Sequence, residues 1–187
     1  MTTVLNLFGG PGSGKSTLAA ELFSELKKRG SNVELVREYC KNWAWGDRAV
    51  NEWDYLYLLG KQSSYESLLY GKVDYLVTDS PFILAGIYQQ VNTKGKHSYV
   101  LKAAKEFMQH AESNGVTYLN IYLHRGFPYD PRGRWENEEG AVAVDEAISD
   151  TLVNELWQEP IVIASGPRSH AALTILTILE NKIESTE

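Results

Sequence analysis

A short glycine-rich stretch near the start of the chain carries the clearest chemical signal. Gly9, Gly14, Lys15 and Ser16 fit the pattern G-x-x-x-x-G-K-[ST], in which the backbone N–H groups of a loop surround phosphate oxygens. The lysine can then reach the β- and γ-phosphates, and the serine hydroxyl can bind Mg²⁺. An ordinary glycine-rich turn with a surface lysine is the alternative. The residues that we expect to bind ATP here are Gly9, Gly10, Pro11, Gly12, Ser13, Gly14, Lys15, Ser16 and Thr17.

A second signal is an acidic residue at the end of an apolar run. The segment VDYLVTD ends in Asp79, and an acid at the end of a strand beside a phosphate loop can bind Mg²⁺ directly or through water. We therefore predict that Ser16 and Asp79 are the metal ligands and that Asp79 is also a catalytic residue. Because Asp-Ser-Pro is a good helix start as well, Asp79 could instead cap a helix beginning near Pro81.

The segment VREYC, residues 36–40, ends a short apolar run with an arginine and a carboxylate. Glu38 could accept the proton of an acceptor hydroxyl, while Arg37 attracts the acceptor's charge. We predict Glu38 as a catalytic residue and Arg37 as a substrate-binding one. A solvated ion pair at a strand end is the alternative.

Residues 124–140, HRGFPYDPRGRWENEEG, combine three arginines with two prolines and three glycines. This composition predicts a mobile lid over about residues 125–140. We expect Arg125 to bind ATP, and Arg132 and Arg134 to act as catalytic groups that stabilise the transferred charge. In the alternative, the arginines of a polar surface loop pair with the acidic residues Glu136, Glu138 and Glu139.

Aromatic residues concentrate between residues 39 and 70, and most are expected to fill the core. Trp43 and Trp45, however, follow the second strand in a region without a strong helical pattern, where a flat acceptor such as a base could stack. Gln62, in a predicted long helix, could read the edge of such a base. The predicted substrate-binding residues are Arg37, Tyr39, Trp43 and Gln62.

Composition sets the broad class. A chain of 187 residues with 43% hydrophobic and 22% charged residues is typical of one globular domain, and we place no domain boundary within it. No apolar run is long enough to span a membrane and no leader pattern is present, so we expect a soluble, cytoplasmic protein. Cys40 is the only cysteine, which excludes an internal disulfide and a cysteine-based zinc site. The net charge of −6 argues against a general polyanion binder without excluding a local basic groove.

The elements that must position these residues alternate between strand and helix patterns, which is typical of a parallel sheet covered by helices on both faces. We predict strands over residues 3–8, 33–36, 73–78, 117–123 and 161–164. We predict helices over residues 15–29, 52–70, 81–91, 98–114 and 169–183, and a further helix after the segment 125–140 that ends at about Trp157. Ligands of such sheets bind at the C-terminal ends of the strands. The phosphate loop, Arg37–Tyr39, Asp79–Pro81 and the segment after Leu123 should therefore surround one crevice.

Together these motifs resemble those of the P-loop kinases of nucleosides and nucleotides. LNLFGGPGSGKST matches their phosphate loop, and LVREY is similar to the Arg-Glu-Pro step of thymidylate kinases, with Tyr39 in place of proline. LVTDSP is similar to their third-strand acidic motif, with Ser80 where an arginine often follows the acid. The resemblance implies an α/β, three-layer P-loop NTPase fold with a central parallel sheet of about five strands, and ATP and Mg²⁺ as cofactors.

Residues 127–134, FPYDPRGR, also resemble the proline-aromatic-x-x-x-Gly-Arg lid of the ribosylnicotinamide-kinase type and its phage-encoded relatives. That phage group includes kinases that phosphorylate 5-hydroxymethyluracil within viral DNA. The resemblance therefore implies transfer of the γ-phosphoryl group of ATP to a nucleoside-like acceptor, most specifically the hydroxymethyl group of 5-hydroxymethyluracil in phage DNA. The implied catalytic residues are Lys15, Glu38, Asp79, Arg132 and Arg134.

Three other functions stay open. The acceptor could be a free nucleoside, including a ribosylnicotinamide-like one, or a nucleoside monophosphate. The protein could also be a regulatory NTPase that binds a partner instead of phosphorylating an acceptor. A GTPase is disfavoured, because the nearest match to its [NT]-K-x-D signature, TKGK at residues 93–96, lacks the aspartate.

Overall fold

Strands and helices alternate along the chain, and the five strands of the described residues join one parallel sheet. A computed structural model describes residues 1–126, 128–156, 160–163 and 168–184 of the protein. The strands are β1 Thr2–Phe8, β2 Val33–Val36, β3 Tyr75–Thr78, β4 Val116–Leu123 and β5 Ile161–Ile163. The helices are α1 Lys15–Lys28, α2 Lys41–Trp45, α3 Asp54–Ser67, α4 Leu84–Asn92, α5 Tyr99–Ser113, α6 Glu138–Asn154 and α7 Arg168–Glu184.

The central strand, β1, is buried on both faces, which explains its nearly continuous apolar sequence. Val4 and Phe8 pack into a core with side chains of α3, α4, α5 and α6. Leu5 and Leu7 pack into a second core with α1 and α7 on the opposite face. Two apolar cores on either side of one sheet make the predicted three-layer α/β fold, which is confirmed.

In the strand order β2-β3-β1-β4-β5, the three strands that precede the chemical motifs are neighbours. Asn6 of β1 lies opposite Thr78 of β3, and Thr78 lies opposite Val36 of β2. Because the three strands are parallel, their C-terminal ends lie side by side. The phosphate loop, the segment after Val36 and the segment after Thr78 are therefore neighbours.

Several predicted boundaries differ from the structure. Residues Lys41–Trp45 form a short helix where we predicted no helix, because one helical turn is too short to produce an apolar repeat. The long helix spans Asp54–Ser67, shorter at both ends than predicted, and α4 begins at Leu84 after a turn closed by the hydrogen bond from Leu84 N to the Pro81 carbonyl at 2.8 Å. The predicted helix end at Trp157, the strand end at Ala164 and the lid residue Phe127 lie outside the described residues.

Within those described ranges, each helix is too short or too polar to cross a membrane.

Candidate active site

The glycine-rich loop links the buried end of β1 to the first residue of α1. Gly12 and Gly14 have φ angles of +85° and +90°, a left-handed conformation that residues with a Cβ rarely adopt. The turn leads into the 14-residue helix α1, whose first residues, Lys15, Ser16 and Thr17, line a cleft. Helix N-termini of this kind attract anions, because their N–H groups have no partner within the helix.

Lys15 is the first residue of α1, and its ammonium group lies under the loop. Nζ donates hydrogen bonds to the carbonyls of Gly9 and Gly10, at 2.5 and 3.0 Å. Burial lowers the pKa of Lys15, while the nearby carboxylates of Glu38, Asp79 and Asp145 oppose that shift. The lysine therefore lies near acidic groups from three different parts of the chain.

Asp79 is buried and joins the ends of β2 and β3. Its Oδ1 accepts a hydrogen bond from the backbone N–H of Glu38 at 3.0 Å. It does not cap α4, which begins five residues later at Leu84, so the alternative reading of Asp79 as a helix cap is wrong. Asp79 and Ser16 line the same cleft.

These two side chains suit Mg²⁺. A carboxylate and a hydroxyl are the hard oxygen ligands that Mg²⁺ prefers, and a site with few protein ligands leaves positions for water and phosphate oxygens. The N–H of Glu38 bonds to Oδ1 of Asp79, so Oδ2 is the oxygen that would bind the metal. The predicted pair is chemically compatible with the metal.

Arg125 anchors the base of the lid (residues 125–140) to the phosphate loop. Its guanidinium donates to Asp145 Oδ2 from Nη2 at 2.5 Å and from Nε at 3.2 Å, and to the Pro11 carbonyl at 2.5 Å. Asp145 Oδ1 in turn accepts the N–H of Gly10 at 2.5 Å. Sequence reasoning missed Asp145, which lies within α6 with no motif around it. A carboxylate at this place fixes both the loop and the lid.

The other two lid arginines lie in different surroundings. Arg134 lines the cleft, and a Cβ built on Gly12 would lie 3.6 Å from its Cζ, so the guanidinium packs against the phosphate loop. Arg132 instead pairs with Asp130, with Nη2–Oδ2 at 2.7 Å, and its side chain is 83% exposed. It is not among the described residues that line the cleft. Of the two predicted catalytic arginines, the structure brings only Arg134 to Lys15.

Among the described residues of the lid, no arginine forms an ion pair with a nearby glutamate. Arg125 and Arg132 pair with Asp145 and Asp130 instead, and Arg134 donates from Nε to the Asp130 carbonyl at 2.6 Å. Two of these three contacts join residues within the lid, and none of the three involves a glutamate.

A cleft of about 910 Å³ runs from the phosphate loop to an apolar end between α3 and α4. The apolar end is lined by Val50, Tyr55, Leu58, Phe82, Leu84, Ala85 and Tyr88. Glu38 and Glu136 also line the cleft, and their carboxylates come from the end of β2 and from the lid. Burial raises the pKa of Glu136, and the charge of Glu38 adds to the shift. Sequence analysis did not assign a role to Glu136 or Tyr88 in this site.

Two of the four predicted substrate-binding residues, Tyr39 and Gln62, line the cleft. The amide of Gln62 bonds to backbone, since Oε1 accepts the N–H of Tyr39 at 3.0 Å and Nε2 donates to the carbonyl of Arg37 at 3.4 Å. Arg37 is exposed, and it is outside the set of described residues that line the cleft.

The tryptophans after β2 serve the protein's own packing. The Trp43 ring has the Arg48 guanidinium 3.3 Å from its centroid and stacks with Tyr57 at 6.1 Å, away from the described cleft lining. Trp45 packs against Gly133 of the lid, where an added Cβ would lie 2.7 Å from the ring. Trp43 is therefore outside the described lining of the cleft.

Solved structures with the same fold include two kinases. A deoxyadenosine kinase from M. mycoides, with dCMP and dCDP bound, has a TM-score of 0.55 at 16% identity, covering 98% of this chain and 100% of that one. The APS kinase of Mycobacterium tuberculosis has a TM-score of 0.56 at 13% identity, covering 96% of this chain and 97% of that one. At this identity the likeness shows the fold, which is that of P-loop kinases.

No curated protein matches the sequence significantly. A family model described as an AAA domain matches residues 4–169, which include the phosphate loop, Asp79 and the lid. The protein therefore belongs to this AAA domain family.

Proposed function

We propose that the protein is an ATP-dependent kinase that transfers the γ-phosphoryl group to a hydroxyl group of a nucleoside-like acceptor. One observation carries the proposal: Lys15, Ser16, Glu38, Asp79 and Arg134 line a single cleft. They follow three neighbouring strands or lie in the lid, so the fold assembles them from distant parts of the chain. Together they supply the groups that phosphoryl transfer needs, which are mainly positioning and charge stabilisation.

The donor end of the cleft would hold the triphosphate. The loop N–H groups and the Lys15 ammonium would bind the β- and γ-phosphate oxygens, and Arg134 would stabilise the charge on the transferred group. Ser16 and Asp79 would hold Mg²⁺, which neutralises charge on the phosphate oxygens when bound. Arg125, held by Asp145, would keep the lid against the loop so that water is excluded.

The acceptor end would orient the attacking group. Glu38 lies at the end of β2 and would accept the proton of the acceptor hydroxyl. The apolar end of the cleft, with Tyr55 and Tyr88, would hold a flat ring. Because the γ-phosphoryl passes between two oxygens in line, the cleft need only hold the acceptor hydroxyl opposite the leaving oxygen.

The charge of the acceptor end favours a hydroxyl over a phosphate as the reacting group. Glu38, the proposed base, lines the cleft, and an ionised carboxylate accepts hydrogen bonds without donating any. A hydroxyl donates to such groups, whereas a phosphate monoester would be repelled. A nucleoside hydroxyl therefore fits better than a nucleoside monophosphate.

The most specific form of the proposal is the hydroxymethyl group of 5-hydroxymethyluracil within DNA. A second hollow of about 640 Å³ shares Val50, Tyr55 and Asn92 with the cleft. Lys94 and Lys96 line it, beside a pair formed by His97 and Glu52. The two lysines are suited to flanking phosphates of a strand, provided that the base is flipped out or the DNA is single-stranded. A free nucleoside, including a ribosylnicotinamide-like one, is the alternative that uses the cleft alone.

Labelled ATP and a panel of acceptors test the proposal. The panel contains nucleosides, their monophosphates, and single-stranded DNA with and without 5-hydroxymethyluracil. We expect label on a hydroxyl acceptor and little on the monophosphates. Label on free nucleosides only would reject the DNA-borne acceptor, and label on none of the panel would reject this class of acceptor.

A regulatory ATPase of the AAA domain family is the competing function. Arg134 lies on the same chain as Lys15, so a catalytic arginine need not come from a partner. ADP release with and without acceptors separates the two functions. Acceptor-dependent release supports a kinase, whereas release that depends only on a protein partner would support the ATPase.

A further inference from the structure

The buried polar residues of helix α3 include Gln62 and Glu66, on the side that faces the protein interior. They are four residues apart, so they lie one above the other on the same face of the helix. A buried polar group is costly unless it is hydrogen-bonded. Their partners therefore indicate why polar residues occupy these positions.

The side-chain amide of Gln62 is hydrogen-bonded to both peptide groups that flank Glu38. Its Oε1 accepts the N–H of the Glu38–Tyr39 peptide at 3.0 Å, and its Nε2 donates to the carbonyl of the Arg37–Glu38 peptide at 3.4 Å. One side chain thus fixes the orientation of the backbone on either side of the proposed base. Few side chains other than an amide can both donate and accept in this way.

Glu66 holds the segment that follows Asp79. Its Oε1 accepts the backbone N–H of Phe82 at 3.2 Å, and within the described part of the chain its Oε2 has no hydrogen-bond partner. Asp79 in turn accepts the N–H of Glu38 at 3.0 Å. The contacts form a closed circuit from α3 to the end of β2, across to the end of β3, and back to α3.

We propose, on the basis of the kinase function above, that Gln62 and Glu66 are positioning residues that fix Glu38 and Asp79 relative to each other. In this role Gln62 acts through the backbone of the proposed base and does not read the acceptor. Loss of the circuit should therefore slow transfer from every acceptor to the same extent. A residue that reads the acceptor would instead alter the KM of some acceptors more than others.

Gln62→Leu tests the first half, with Ser64→Leu on the exposed side of α3 as the matched control. We expect kcat to fall by about 10- to 100-fold for each acceptor, the cost of a misplaced group near the chemistry, with KM for ATP unchanged. Ser64→Leu should keep the normal kcat. An increase in acceptor KM alone, or a loss that depends on the acceptor, would overturn the positioning role.

Glu66→Leu and Glu66→Gln test the second half. Glutamine keeps an oxygen for Phe82 N–H and should retain most of the rate, whereas leucine should not. Amide hydrogen exchange supplies a readout that does not need transfer. We expect faster exchange at Tyr39 in Gln62→Leu and at Phe82 in Glu66→Leu, since each N–H loses its partner.

The two proposals fail separately. If the normal protein transfers phosphate to no acceptor, the kinase function fails, while the exchange measurement still tests the circuit. Unchanged exchange at both amides would overturn the inference whatever the activity. Should Glu66→Leu not fold, Gln62→Leu and Glu66→Gln still decide it, because a slow Glu66→Gln variant would contradict the expected rescue.

Discussion

The two ends of the cleft are built in different ways. The donor end rests on a single run, residues 9–17, in which the glycines, Lys15 and the start of α1 are consecutive. The acceptor end is assembled from Glu38, Glu136 and apolar residues of α3 and α4, which come from distant parts of the chain and meet only in the fold. A local motif can be recognised in one sequence, whereas a site made by long-range contacts becomes visible only with the structure.

The two ends also differ in charge. Lys15, Arg125 and Arg134 lie against the phosphate loop, whereas the acceptor end carries Glu38 and Glu136 and, among the described residues, no arginine or lysine that we assign to it. This arrangement suits a reaction in which an anionic phosphoryl group is held by cations until a neutral hydroxyl attacks it. We therefore expect variants at the donor end to lower the transfer rate for every acceptor. Variants that weaken the contacts between the two ends should disturb the position of the acceptor relative to the phosphate-binding groups.

The largest effect is expected at the donor end, for Lys15→Ala. Loss of the buried ammonium removes the main positive charge at the phosphates, and we expect the transfer rate to fall by at least about 10³-fold. The measurement is label transfer from ATP at saturating acceptor. Lys28→Ala, at the exposed far end of the same helix, should transfer at the normal rate. A Lys15→Ala variant with near-normal transfer would contradict the phosphate-loop assignment.

The next largest effect on the transfer rate is expected in the lid, where substitution of Arg134 and of Arg132 should have different results. Arg134→Ala should slow transfer by about 10²- to 10³-fold, because the guanidinium against the phosphate loop is lost. Arg132→Ala should change the rate little, since its side chain faces solvent and pairs with Asp130. Single-turnover rates of the two variants check this contrast. Equal losses would mean that both arginines reach the transferred group.

The fold was largely predictable because its signals are local. Apolar runs such as β1, the left-handed glycines of the phosphate loop and the stripe on α1 each report their own element. The helix Lys41–Trp45 was not predictable, because one turn has too few residues for a repeat. It is held by tertiary contacts, including a hydrogen bond from Lys41 Nζ to the Gly133 carbonyl at 2.7 Å.

The site was predictable only where residue type and position coincide with a strand end. Lys15, Glu38 and Asp79 were expected near such strand ends, and all three line the cleft. Asp145 and Glu136 were missed, since a carboxylate within a helix or a lid looks like any solvated acid until its partners are known. For Trp43, the sequence indicated a ring on which an acceptor could stack. It does not show that Arg48 and Tyr57 already pack against that ring.

Asp145→Ala should have an intermediate effect, since it weakens the link between the loop and the lid. The variant removes the partner of Arg125 and of Gly10 N–H, which leaves a largely buried guanidinium unpaired. We expect a loss of about 2 to 3 kcal/mol in the free energy of unfolding and a slower transfer rate. Chemical denaturation and label transfer measure the two effects. Glu146→Ala, the exposed neighbour on α6, is the control, and an equal loss there would show that Asp145 has no special role.

The last effect concerns Glu66 on α3 and is seen only in the pH dependence of stability. Burial raises its pKa to about 8 from the usual 4.5, so the folded protein keeps this proton over a range in which the unfolded chain has lost it. The unfolded state then binds fewer protons, and the contribution of Glu66 to stability falls as pH rises, by up to about 1.4 kcal/mol per pH unit between the two pKa values. Glu66→Gln cannot ionise and should remove that slope. The phenols of Tyr70 and Tyr118 lie near Glu66 but do not contribute to this slope. Burial raises the pKa of each phenol further above the pH range of the measurement. Urea denaturation of both proteins at several pH values between 5 and 8 gives the two slopes, and identical slopes would show that Glu66 is ionised in the folded protein.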